Sequence, residues 1–145
     1  MYSQWPNYDD KIINEVSSII KSGKLNIWKG NKNKKFEKAY AKFIGTKYSL
    51  SLSNGSVALE IALKALGINK NEEVIVTSKS YFISAACVLN IGAIPKFVDV
   101  DYKTQNISID DIKRSITKKT KAIICVHLGG MPCDIDEIIK IKKKI

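Results

Sequence analysis

Arginine and histidine are almost absent: Arg114 and His127 are the single examples of each in 145 residues. Nucleic-acid readers lean on arginine for bidentate contacts to phosphate and guanine, so its scarcity argues against that class. With one histidine, neither a histidine-based metal site nor a Ser–His–Asp triad is completed by the ordinary residues elsewhere. Cysteine is scarce and odd in number, and Cys87, Cys125 and Cys133 show no C-x-x-C or zinc spacing. That pattern favours reduced thiols in the cytoplasm over a disulfide scaffold. No apolar run approaches the roughly 18 residues of a membrane span, and Met1–Asp10 lacks the basic start and apolar stretch of a signal peptide. Low proline and glycine, with 45% apolar and 26% charged residues, exclude collagen-like and low-complexity chains. The expectation is a cytoplasmic α/β chain with one domain's worth of core.

Lysine is what the sequence has in excess. It dominates the 24 basic residues that outweigh 14 acidic ones and give a net charge of +10. The lysines are spread along the chain, as solvated faces would be. In functional terms such a surface steers anionic small molecules rather than a membrane or nucleic acid.

Periodicity divides the chain in two. Residues 1–46 read as helical: Ile12, Ile13, Val16, Ile19 and Ile20 share one helix face, and Gly23 suits a left-handed cap. A loop over Asn26–Asn33 carries Trp28 and Gly30, and Lys34–Ile44 forms a second helix. Residues 47–145 alternate strand and helix. Strands are expected at Tyr48–Leu52, Val74–Thr77, Phe97–Val100 and Ala122–Val126. Helices are expected at Val57–Leu66, Phe82–Ile91, Ile109–Ile116 with Ser108 as cap, and from Ile135 onward. Asn54-Gly55 would signal a hairpin, but the stretch after it is helical, so the unit is strand, tight turn, helix. Such alternation predicts a largely parallel sheet with helices on both faces and ligands at the carboxyl ends of the strands.

Three strand-end segments are candidate sites. At Ser53–Val57 a helix would begin directly after a strand, so its unpaired amides and dipole face the crevice. There Gly55 permits close approach and Ser56 adds a hydroxyl, an arrangement suited to phosphate. As plain structure the same residues are a helix cap. Tyr81 follows the second predicted strand and offers a ring to a planar ligand, or simply packs in the core. Lys79 beside it reads as a solvated lysine. His127 ends the last predicted strand before Leu128-Gly129-Gly130-Met131-Pro132-Cys133-Asp134, where a structural role is the default.

In order, the chain carries Trp28-Lys29-Gly30, Phe43-Ile44-Gly45, Ser53-Asn54-Gly55-Ser56-Val57-Ala58-Leu59 and Ala65-Leu66-Gly67-Ile68. Gly92-Ala93-Ile94-Pro95, Phe97-Val98-Asp99-Val100-Asp101 and Val126-His127-Leu128-Gly129-Gly130-Met131-Pro132-Cys133-Asp134-Ile135-Asp136 follow. From about Trp5 onward this order resembles the DegT/DnrJ nucleotide-sugar aminotransferases, perosamine-synthase-like members above all. The resemblance implies the N-terminal part of a fold-type-I large domain using pyridoxal 5′-phosphate. It matches Gly55, Ser56 and Val57 to the cofactor-phosphate turn, Tyr81 to the aromatic stacked on the pyridine ring, and Trp28 and Gly30 to the sugar-nucleotide site. It implies a nucleotide-linked keto-sugar as substrate, glutamate as amino donor, and a homodimer. The Schiff-base lysine and the acidic partner of the pyridine nitrogen are expected beyond residue 145. The 145 residues are therefore expected to be a partial domain without catalysis of their own. The alternative reading is a non-catalytic phosphate- or nucleotide-binding α/β domain.

Overall fold

The computed structural model describes residues 5–142, and the chain divides into two compact units, Met1–Ser51 and Leu52–Ile145.

The first unit holds α1 (Asp10–Ser22) and α2 (Lys32–Ile44). Asp9 Oδ1 accepts from the Ile12 amide at α1's start, and Gly23 closes it at φ +66°, a left-handed value that glycine tolerates without strain. The apolar face expected of α1 is present, but Ile12, Ile13, Val16 and Ile20 remain exposed. Ala41 is the one buried residue of this unit among those described. After α2, Tyr48–Leu52 does not form the strand its composition suggests. Its backbone groups are engaged by side chains instead of a ladder. The Ser51 amide donates to Glu37 Oε1 at 2.9 Å, and Thr46 Oγ1 donates to the Tyr48 carbonyl at 3.0 Å. Alternating composition marks a segment able to pair, but no strand is offered to this one.

The second unit runs α3 (Gly55–Ala65), β1 (Glu73–Thr77), α4 (Ile83–Asn90), β2 (Ile94–Val98), α5 (Ile109–Ser115), β3 (Thr120–Ile124), a 3₁₀ turn at Leu128–Gly130 and α6 (Ile135–Lys142). The three strands form one parallel sheet in the order β2-β1-β3. β1 is central and its residues are sorted by the pleat. Val74 and Val76 pack with Leu63 of α3 and Cys87 and Val88 of α4, while Ile75 packs with Ile112 of α5 and Ile138 and Ile141 of α6. The expected parallel sheet with helices on both faces is therefore present. Val74, Ile75 and Val76 are wholly buried, each such side chain contributing about 1.5–3 kcal/mol.

β2 begins at Ile94 rather than the expected Phe97, taking in Pro95. Proline lacks an amide donor, and an edge strand tolerates it because one side of its ladder has no partner. Val100, expected at the strand's end, instead bridges antiparallel to Ile107. Ser108 caps α5 as expected, its Oγ accepting from the Asp111 amide at 3.3 Å.

Candidate functional site

α3 starts at Gly55, two residues before the expected Val57, and follows an irregular stretch rather than the expected strand. Asn54 adopts extended backbone, and its Oδ1 accepts from the Val57 amide at 3.0 Å. Its carbonyl takes the Ala58 amide at 3.1 Å. Of the first-turn donors, Val57 is thus already partnered, whereas the Gly55 and Ser56 amides have no acceptor among the described residues. Gly55 is exposed, and a Cβ built on it would meet nothing within 4 Å. The helix therefore presents two free N–H groups, the positive end of its dipole and an unobstructed approach.

Tyr81 reaches the same place from another part of the chain. It follows β1 at the carboxyl end of the sheet, is 67% exposed, and sits edge-on to Phe82 with ring centroids 4.7 Å apart. Gly55, Ser56, Ala58, Leu59, Tyr81 and Ile83 line one open groove of about 610 Å³. Three of the four residues singled out as cofactor contacts in this unit therefore share one concavity. Val57, the fourth, shapes the turn through Asn54. Its wall residues Ala58, Leu59 and Ile83 were not singled out from sequence. Leu59 lies three residues beyond Ser56, one turn along the same helix face, and that spacing is the signal that could have found it. Two amide donors at one end and apolar walls with an aromatic ring at the other suit a planar ligand bearing an oxyanion.

The remaining strand-end residues are mainly structural. His127 is exposed, and its Nδ1 accepts from the Cys133 amide at 2.9 Å. Cys133 Sγ donates to the Val126 carbonyl at 3.2 Å, closing the same loop. Burial pushes the Cys125 thiol up to about 11, with Cys133 adding to the effect, and burial likewise raises Cys87 and Cys133. None of the three is an activated nucleophile. Among the described residues no group of histidine, cysteine and carboxylate side chains could hold a metal ion, and no helix is long and apolar enough to cross a membrane.

In the first unit, Trp28 is 90% exposed. Asn26 Oδ1 braces its loop by accepting from the Trp28 and Lys29 amides at 3.1 and 3.0 Å. Gly30 is required there: a Cβ would come within 2.7 Å of the Lys24 carbonyl oxygen.

Comparison with known proteins adds an independent line. The sequence profile described as the DegT/DnrJ/EryC1/StrS aminotransferase family matches residues 6–145. A GDP-perosamine synthase of Escherichia coli O157:H7 is 47% identical over 115 residues, covering 79% of this chain and 32% of that protein. The X-ray structure of an aminotransferase from Psychrobacter cryohalolentis superposes with a TM-score of 0.94 at 41% identity, over 99% of this chain and 36% of that one. A GDP-4-keto-6-deoxymannose-3-dehydratase, solved with a trapped PLP-glutamate geminal diamine, superposes at 0.81 with 33% identity over 93% of this chain and 36% of that one. The chain spans about a third of the length of the curated relatives it matches.

Proposed function

The chain belongs to the DegT/DnrJ/EryC1/StrS aminotransferase family, and from that premise we propose that its α3 groove holds the phosphate and ring of pyridoxal 5′-phosphate. The whole protein is then an aminotransferase that passes an amino group from glutamate to a nucleotide-linked keto-sugar, for the synthesis of amino-sugar polysaccharides. A cytoplasmic location and a homodimer belong to the same proposal.

One observation carries it: Gly55 and Ser56, whose amides have no acceptor among the described residues, line the same groove as Tyr81. The residues present fit the cofactor. A phosphate needs converging N–H donors and a backbone it can approach, and Gly55 leaves that approach clear. Ser56 adds a hydroxyl donor, and the dipole of an 11-residue helix favours the negative charge. The exposed Tyr81 ring gives a pyridine ring a face to stack on. Pyridoxal 5′-phosphate, when bound, supplies the electron sink for bond breaking next to a substrate nitrogen. Trp28 offers an aromatic surface on a loop held by Gly30, and we assign both to the sugar nucleotide. No lysine among residues 1–145 is assigned the Schiff-base role, so these residues by themselves bind the cofactor without turning it over.

The test uses pyridoxamine 5′-phosphate, which does not label a lysine-rich surface as the aldehyde does. Gly55→Val places a side chain in open space, so it should leave thermal stability within about 1 kcal/mol of wild type. It should weaken binding at least about tenfold, as loss of a charge-assisted contact does. Equal affinity in the stable variant contradicts the assignment.

A further inference from the structure

Lys79 lies two residues before Tyr81, in the turn that carries that ring from β1 to α4. Its amide donates to Thr77 Oγ1 at 3.3 Å, and its Nζ donates to Gln105 Oε1 at 2.7 Å. Gln105 is itself fixed at both ends. Its Nε2 donates to the Tyr102 carbonyl and its amide to the Asp101 carbonyl, at 2.7 and 2.8 Å. It is also held at φ +60°, a left-handed conformation that a non-glycine residue adopts at a cost.

Among the described lysines whose ammonium group has a side-chain partner, Lys79 is distinguished by the chemistry of that partner. Lys32, Lys64, Lys96, Lys113 and Lys140 each face a carboxylate. Lys79 is held by a neutral amide and has no carboxylate partner among the described residues. The nearby Asp101 carboxylate is spent on the amides of Lys103 and Thr104 and on Thr104 Oγ1. The side chain is therefore positioned while its full charge stays available. A lysine ammonium acts as a point charge suited to phosphate, whereas a planar carboxylate is better matched by a guanidinium fork. The chain's one arginine, Arg114, is engaged with Asp111.

We propose that Lys79 is a ligand-binding residue of the site, contacting a phosphoryl oxygen of the substrate's nucleoside diphosphate, and that Gln105 is its positioning residue. The inference rests on the nucleotide-sugar reading above. The cofactor phosphate is taken by α3, so Lys79 serves a second anion.

The test measures binding of GDP, glutamate and pyridoxamine 5′-phosphate to the full chain and its variants. Wild type binds GDP, more weakly as salt rises. Lys79→Met weakens GDP binding about tenfold, and Lys79→Arg keeps it within about threefold. Gln105→Glu separates recognition from a mere tether. It preserves the link to Lys79 and melts no lower than wild type, yet weakens GDP binding because the new carboxylate neutralises the ammonium. All variants hold pyridoxamine 5′-phosphate as wild type does. The proposal is overturned if wild type ignores GDP, if Lys79→Met and Gln105→Glu bind GDP as wild type does, or if Lys79→Met loses glutamate instead. Retained pyridoxamine 5′-phosphate binding in those cases leaves the cofactor reading standing, and its loss from wild type removes that reading separately.

Discussion

Glu73 opens β1, and its Oε2 gathers three donors, from β2, from β3 and from the connection that leads into β3. Thr117 Oγ1 donates at 2.6 Å, Thr120 Oγ1 at 3.3 Å and Lys96 Nζ at 3.5 Å. The Thr117 hydrogen bond is the main cause holding its carboxyl below the ordinary value, with the Lys96 charge helping against partial burial. A carboxylate favoured in the folded state contributes stability above its unfolded value and loses it as pH falls through the lower folded value. Wild type should therefore be more stable than Glu73→Gln near neutral pH, and the gap should close on acidification. Chemical denaturation across an acidic pH series reads it, and a gap independent of pH contradicts the assignment. Nothing in the sequence announces this cluster, because its members are 44 and 47 positions apart. The Asn54 cap, by contrast, is legible, since its partner lies three residues away.

At the scale of elements, the reach of local signals explains what could be read. Helix ends followed in part from caps: Gly23, Asn54 and Ser108 act as their residue types suggest, and Asp9, not singled out from the sequence, caps α1 as well. The order of strands and helices after residue 70 also followed from periodicity, and so did the placing of Tyr81 after β1; Gly55 and Ser56 were expected behind a strand at Tyr48–Leu52 that does not form. What periodicity does not supply is a partner. Tyr48–Leu52 has the composition of a strand, yet Glu37 and Thr46 take its backbone groups. Two connections at the carboxyl edge are likewise joined by a residue with no sequence signal. Asn106 is 3% exposed. Its Nδ2 donates to the Met131 and Pro132 carbonyls at 3.0 and 2.9 Å, and its Oδ1 accepts from the Leu128 amide at 3.2 Å. Asn106→Ala strips three backbone groups of their partner at once. It should cost about 2–3 kcal/mol, the penalty of unsatisfied buried polar groups. Urea unfolding measures this, and a loss below about 0.5 kcal/mol shows that solvent or local movement replaces the clasp.

For the whole molecule, two scales of charge act together. The +10 exterior raises the local concentration of anions without choosing among them. On the proposed reading, choice falls to a few fixed donors, the Gly55 and Ser56 amides and Lys79. Family membership does not replace that geometry, because function resides in a site rather than in a fold. The most direct test follows the backbone amides of Gly55 and Ser56 by NMR during titration with pyridoxamine 5′-phosphate. Both signals should move saturably, Val57 should move less because Asn54 already holds its amide, and inorganic phosphate should displace the ligand. Saturable binding that leaves Gly55 and Ser56 unmoved would contradict the account.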